Sequence, residues 1–359
     1  MRVLIDATSL LVRSAGVKNY TYHWIQHLRQ QSRNEQILAF PFLNSFGTLT
    51  HERSMLPPAA TYTRLGLLYF LNMSWNPLLE RMVSGTDVFH VSNLVRHVPR
   101  KPKITATIHD MTRWLMPELH TPATIQADDS FAENVLRRAD RLIAVSENTR
   151  ADAVRLLKLD PAKIEVIHSG VPEVFFGAQA TPAKRPYVLF VGTIEPRKNV
   201  DTLLDAWQGL RLRDDYDLVI AGPPGWASEK TMARLHAGAA EVKYLGYVPE
   251  DELPGLTAGA TAFVYPSLYE GFGFPVAQAM AAGVPVVTSN TSCLPEIAGE
   301  GALYVDPRST GELRTAMENV LTSPSTRERL SKAGAERAQQ YRWDVCAQKS
   351  LAFFRCAQS

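Results

Sequence analysis

The 359-residue chain is poor in cysteine: Cys293, Cys346 and Cys356 are few, odd in number and far apart. That excludes a disulfide framework and the short-spaced zinc patterns, and it suits a reducing, cytoplasmic setting. No G-x-G-x-x-G follows the first strand-like runs, which argues against a nicotinamide oxidoreductase. No H-E-x-x-H occurs, and the one D-x-D, Asp215-Tyr216-Asp217, stands just before an apolar run, where we expect surface; no metal cofactor is implied. The most apolar stretch, residues 65–83, is interrupted by Asn72, Asn76, Pro77, Glu80 and Arg81, which excludes a membrane-spanning helix. The N-terminus, "MRVLIDATSLL", lacks a cleavage site and has too short an apolar run for a signal peptide, so it reads as a first strand. No basic stretch interleaves with aromatics, so nucleic acid is not an expected partner.

What is present describes a globular protein of two domains. The length exceeds one ordinary core, and 45% hydrophobic with 21% charged residues is a soluble composition. Strand-length apolar runs alternate with helical patterns: "RVLIDA", "DVFHVS", "KITATIH" and "RLIAVS", then "YVLFVG", "DLVIAG", "VKYLG", "AFVYP", "VPVVT" and "ALYVD". Val/Ile-rich runs separated by helices predict α/β architecture with parallel sheets, and the two halves look alike in plan. We expect a Rossmann-like domain over 1–170, a linker over 171–186, a second Rossmann-like domain over 187–340 and a final helix over 341–359. Residues 1–170 hold 20 Lys/Arg against 15 Asp/Glu, a mildly basic half that suits an anionic partner such as a membrane surface as readily as it suits ordinary solvated surface. For 65–83 a core helix is the first reading; a partly exposed face meeting a lipid-like acceptor or a bilayer is the sharper one.

Four places carry candidate chemistry, each where a strand gives way to a helix. In "GTIEPRKN", Gly192 permits a sharp exit from the strand, and Arg197 and Lys198 stand beside a helix start as an anion site; a solvated basic turn is the plain alternative. In "SLYEGFGFPVAQAMAAGVPVV", Glu270 precedes Gly271-Phe272-Gly273, whose Phe272 and Gly273 amides could bind an anion while the carboxylate accepts from sugar hydroxyls. The plain alternative is a helix-capping acid. Pro275 fits the first turn of the following helix and Gly283 its end. In "TATIHDMTRW", His109 and Asp110 end a strand, and Asp110 could orient the imidazole. In "RSAGVKNYTYHWIQHL", Gly16 lets backbone approach a ligand just before a helix. In open α/β sheets, strand carboxyl ends are where ligands bind.

As a set these stretches resemble family 4 retaining glycosyltransferases. "EPRKN", "PSLYEGFGFPVAQAMAAGVPVV" and "SCLPEIAGEGALYVDP" are similar to their donor half, and "AGVKNYTYHWIQHL", "TIHDM" and "VSENTRADAV" to their acceptor half. The resemblance runs along nearly the whole chain and implies the GT-B fold, two Rossmann-like doubly wound domains facing across a cleft that takes a nucleotide diphosphate sugar. It implies that Arg197 and Lys198 hold the diphosphate, Glu270 the donor sugar's hydroxyls, and Gly16 the phosphates, with His109 near the reacting carbon. It also implies that the last helix crosses back onto the first domain and that the departing phosphate can itself deprotonate the acceptor. One departure is Gln278, eight residues after Glu270, where the family usually has a second Glu on the ribose. An amide keeps the hydrogen bond without its charge, at a cost of ~1 kcal/mol. The acceptor is expected to be a glycan or a lipid-linked glycan of surface polysaccharide assembly. An epimerase or hydrolase of the same fold, and a non-catalytic nucleotide-sugar-binding protein, are the rival readings.

Overall fold

In the computed structural model the described residues are 1–14, 16–43, 45, 47–51, 53–72, 77–92, 94–238 and 241–358. Asn76, one interruption of the apolar stretch, lies outside them. The chain divides into two units, Met1–Gly170 with Trp343–Ser359, and Val171–Arg342.

The first unit holds a six-stranded sheet of β1 (Arg2–Asp6), β2 (Gln36–Phe40), β3 (Val88–Val91), β4 (Lys103–Ile108), β5 (Arg141–Ala144) and β6 (Ile164–Val166), ordered β2-β1-β3-β4-β5-β6. The second holds β7 (Tyr187–Val191), β8 (Asp217–Ala221), β9 (Val242–Gly246), β10 (Ala262–Tyr265), β11 (Val286–Ser289) and β12 (Ala302–Val305), ordered β12-β11-β10-β7-β8-β9. Every pairing is parallel. In each sheet the chain leaves its first strand in one direction and returns to the other side. This places a switch point between β1 and β3 in one unit and between β7 and β10 in the other, the crevices where such sheets take ligands. All ten expected strands form. The two that the pattern missed, β2 and β6, are the edges of the first sheet. β6 is only three residues, Ile-Glu-Val, too short to stand out, whereas β2 carries four apolar residues, Ile37–Phe40, and was legible as a run between Asn34-Glu35 and Pro41.

In the first unit, the helix Gly16–Gln31 buries Lys18, Tyr20, Thr21, Trp24, Ile25 and Leu28, the three-and-four spacing of one face. The last helix, Trp343–Gln358, packs against it: Trp24 Nε1 donates to Ser350 Oγ at 2.9 Å, and Tyr20 meets the Trp343 ring at 5.6 Å. Gly170 permits that approach, since a Cβ there would lie 2.3 Å from the Trp343 ring.

Residues 171–186, expected as a linker, group with the second unit. Val171 N–H donates to the Tyr341 carbonyl at 2.6 Å, Glu173 pairs with Arg342, and Thr181 N–H donates to the Gly255 carbonyl at 3.0 Å. Two further expectations change. Asp217 does not sit on the surface: it opens β8, is 4% exposed, and pairs with Arg185 at 3.3 Å and with Lys243. The apolar stretch is not a core helix throughout. The helix Pro58–Leu71 buries only Thr61, Leu68 and Leu71, and Leu79 is the buried residue of the short helix Pro77–Met82.

Candidate functional site

The carboxyl end of β7 leads into a turn, Pro196–Lys198, followed by Asn199 in the left-handed conformation at φ 59°. Asn199 pins the turn by donating from Nδ2 to the carbonyls of Pro266 (3.0 Å) and Pro307 (2.6 Å). The carboxyl end of β10 leads into the 266–273 loop, and the two are joined: Leu268 N–H donates to the Arg197 carbonyl at 2.8 Å. The loop ends at Gly273, φ 81°, which caps the helix Phe274–Ala281. Pro275 lies in that helix's first turn and Gly283, φ 74°, follows its end. Only glycine adopts such angles cheaply, so the turn residues set where the helix starts and stops.

Across this switch point Arg197, Lys198 and Glu270 form one buried ionic cluster. Lys198 Nζ lies 2.6 Å from Glu270 Oε1, and Arg197 Nη1 lies 3.0 Å from Oε2. The Tyr265 hydroxyl donates to Oε1 at 3.0 Å and Ser267 Oγ donates to it at 2.6 Å. Lys198 also donates to the Tyr265 oxygen at 2.6 Å, and Arg197 Nη2 meets Glu195 Oε1 at 2.7 Å. Lys198 and Glu270 are 9% and 7% exposed. Burial alone would raise the Glu270 pKa, but Arg197 and Lys198, with hydrogen bonds from Lys198 and Ser267, outweigh it and hold the carboxyl at about 2. Burial, then Arg197, weaken proton binding at Lys198, and Glu270 and Glu195 oppose them. The two cations therefore face two carboxylates, a balance the sequence reading of an open anion site did not include. The helix is capped by Gly273 and the Glu270 carboxylate is engaged by Arg197, Lys198, Tyr265 and Ser267; the Glu270 N–H is taken by Ser292 Oγ at 3.0 Å.

Gly271, Phe272 and Gly273 are buried, with Phe272 edge-on to Tyr341 at 5.5 Å. Gln278 is buried on the helix, 6% exposed. At Gly192 a Cβ would come no nearer than 3.4 Å to the Phe190 ring. The glycine that the packing demands is Gly222, at the end of β8: its φ is 143°, and a Cβ there would sit 1.9 Å from the Gly192 carbonyl oxygen.

The first unit assembles its own group at the ends of β1, β3 and β4. His109 Nε2 shares a hydrogen bond with Ser92 Oγ at 3.1 Å, and the ring stands edge-on to Tyr20 at 4.9 Å, one helical turn after Gly16. Asp6, fully buried, accepts from Thr8 N–H at 3.0 Å and from Ser92 N–H at 3.3 Å. Asp110 caps its own turn, accepting from Thr112 N–H at 3.0 Å and Thr112 Oγ1 at 2.5 Å, so it does not orient the imidazole through a hydrogen bond. Burial lowers the His109 pKa from 6.5 to about 4 against a smaller opposing pull from Asp110, leaving a neutral ring at pH 7. At Gly16 a Cβ would meet nothing within 4 Å. Tyr265, Ser267, Glu195, Asn199, Ser92 and Asp6 were not singled out in the sequence; the signal available was their place at strand ends.

Among the described residues no three His, Cys, Asp or Glu side chains gather as a metal site would need. No helix of the described residues is long and apolar enough to cross a membrane.

The model of Glycosyltransferase Family 4 matches residues 14–174, and that of Glycosyl transferases group 1 matches residues 173–337. O-antigen chain mannosyltransferase B of Escherichia coli is 32% identical over 279 residues, covering 74% of this chain and 73% of that protein. The D-inositol 3-phosphate glycosyltransferase of Kribbella flavida is 31% identical over 283 residues, covering 68% and 67%. Among solved structures, sucrose-phosphate synthase from Thermosynechococcus elongatus superposes with a TM-score of 0.76 at 19% identity, covering 99% of this chain and 98% of that one.

Proposed function

This chain belongs to the family 4 glycosyltransferases, with the GT-B fold, and we propose that it transfers a hexosyl group, mannosyl in the first instance, from a nucleotide diphosphate sugar to a glycan or lipid-linked hydroxyl, with retained anomeric configuration and no metal. The observation that carries this reading is the buried Arg197–Lys198–Glu270 cluster at the switch point between β7 and β10. Departure of a nucleoside diphosphate develops negative charge, and fixed donors aimed at that charge lower the barrier. Arg197 and Lys198 are such donors. In the free protein they are balanced by Glu195 and Glu270, so a diphosphate gains them by exchange.

The exchange assigns Glu270 its part. When the cations turn to the diphosphate, Tyr265 and Ser267 still donate to Glu270 Oε1, and the freed acceptor capacity goes to donor-sugar hydroxyls. One carboxylate thereby couples phosphate binding to sugar recognition. Gly192 and the Gly271-Phe272-Gly273 backbone line the donor, with Gln278 on the ribose. Gly16 and neutral His109 serve the phosphates and the sugar near its reacting carbon. Mannosyl transfer in O-antigen or related surface polysaccharide is supported by the identity to the Escherichia coli mannosyltransferase.

The experiment is a thermal-shift screen of nucleotide sugars, followed by transfer assays with and without acceptor and with a chelator. A donor held at a hundred times its dissociation constant adds about 2.7 kcal/mol of stability. Arg197→Ala and Lys198→Ala should each lower turnover at least about a hundredfold, the size of losing one charge-stabilising donor. Wild-type turnover in both variants removes this account. Sugar release or isomerisation without acceptor favours the hydrolase or epimerase, donor binding without transfer favours a binding protein, and activity lost to the chelator refutes metal independence.

A further inference from the structure

The helix Pro58–Leu71 turns an unusual side to solvent. Ala59, Tyr62, Thr63, Gly66, Tyr69 and Phe70 are exposed and recur at the three-and-four spacing of a single face. Tyr62 and Tyr69 are each 73% exposed and Phe70 51%. No charged residue stands on that face, whereas the outer side of a surface helix is ordinarily its charged side. Arg64, the one charged residue of the helix, turns to neighbouring backbone, donating from Nε to the Pro41 carbonyl at 3.1 Å and from Nη2 to that of Phe42 at 3.5 Å. This sets Phe42, half exposed, beside the helix. Exposed Arg53 precedes the helix and exposed Arg81 lies in the next one, Pro77–Met82. Over residues 52–83 three arginines stand against two carboxylates, Glu52 and Glu80, of which Glu80 accepts from the Arg100 N–H at 2.6 Å.

We propose that this face docks on the headgroup layer of an anionic lipid bilayer, the helix lying along the surface with Tyr62, Tyr69, Phe70 and Phe42 inserted and Arg53 and Arg81 meeting the negative lipids. Tyrosine suits that layer because its ring is apolar and its hydroxyl stays wet. An apolar stripe bordered by cations is the pattern of a helix bound at a membrane surface. At about 1.5 Å per residue, fourteen residues reach roughly 21 Å, too little to span the hydrocarbon layer. The excess of arginine over carboxylate along residues 52–83 is complementary to anionic lipid, whereas a second copy would bring that excess against itself. The proposal goes beyond glycosyl transfer, and its test needs neither donor nor acceptor.

The test is co-sedimentation of the whole chain with vesicles of phosphatidylcholine alone and of phosphatidylcholine mixed with phosphatidylglycerol. The chain should bind the anionic vesicles, and binding should weaken in high salt. Tyr62→Ser/Tyr69→Ser/Phe70→Ser should raise the lipid needed for half-binding by about tenfold or more, since insertion strength follows the apolar area buried. Arg53→Gln/Arg81→Gln should abolish the preference for anionic lipid while leaving the aromatic face intact. An unchanged melting temperature establishes that each variant is folded. Equal sedimentation of the wild type and the aromatic variant overturns the proposal, as does no binding to either vesicle. A concentration-dependent dimer that the aromatic substitutions dissolve without lipid also overturns it, by making the face a self-interface.

Discussion

Glu270 accepts from an arginine, a lysine, a tyrosine and a serine, and this crowding has a measurable consequence. Its carboxyl is held at about 2 in the folded chain, against an ordinary value of 4.5. A depressed carboxyl contributes its stability in full above the ordinary value and loses it as pH falls toward the folded one. Removing one partner of a buried pair also strands the other charges, at roughly 3–5 kcal/mol. Glu270→Gln should therefore be less stable than wild type by about that much at pH 7 in urea unfolding, and the gap should narrow between pH 4.5 and 2. Equal stability at pH 7 would mean the cluster is not ionised as described. His109 moves in the same direction for a different reason. Its ring is neutral in the fold because burial opposes the proton, so the unfolded chain binds protons first as pH drops below 6.5. A pH–rate profile should show no loss assignable to His109 near 6.5, only one approaching about 4; an acid limb at 6.5 that vanishes in His109→Asn contradicts its burial.

At the scale of elements, function depends on turns that bring strand ends together. The β7 turn meets the β10 loop because Leu268 N–H donates to the Arg197 carbonyl and Asn199 ties the turn to the Pro266 and Pro307 carbonyls, while Gly222 lets the end of β8 lie close against the Gly192 carbonyl. Gly222→Ala places a Cβ 1.9 Å from a backbone oxygen at φ 143°, a clash no side-chain rotation relieves. We expect it to cost more than about 2 kcal/mol and to weaken nucleotide binding, while Gly16→Ala, with open space around its Cβ, leaves stability within about 0.5 kcal/mol. Melting temperatures of the two variants check the contrast. Local signals made these elements legible: Pro275 and Gly283 bracket their helix as turn chemistry requires, and ten strands read directly as apolar runs. β6 was not legible, because Ile-Glu-Val is too short a run to stand out, whereas β2, Gln-Ile-Leu-Ala-Phe, is as apolar as the edge strand β12 and was legible in the sequence.

For the whole molecule, the last helix is as much a part of the first unit as the strands that end 177 residues or more before it. Trp343, Leu351, Phe353 and Phe354 are buried there, and each large apolar side chain so buried contributes about 1.5–3 kcal/mol. Their sum rivals the whole stability of an ordinary domain, about 5–15 kcal/mol. Deleting residues 343–359 should leave the first unit open to proteolysis while the second stays protected, read as two fragments of different lifetime; equal protection of both would show that the helix is dispensable. Residues 171–186 look like a linker because they lack periodicity, yet they are held in the second unit by backbone hydrogen bonds and the Glu173–Arg342 pair, none of which composition reveals.

By itself the amino-acid order determined what is local: the alternation of strands and helices, the parallel α/β class, the glycine and proline bounds of each turn, and the strand-end positions of Arg197, Lys198, Glu270 and His109. These follow from backbone preference and hydrophobic period, which act over a few residues. Only the tertiary structure decided that Lys198 and Glu270, 72 positions apart, share one buried charge balance, that Asp217 is enclosed while Tyr62 and Tyr69 are not, and that Asp110 serves its own turn instead of His109. The reason is physical: the energy of a charge depends on its distance to partners and on the water left around it, and both are set when distant segments pack together.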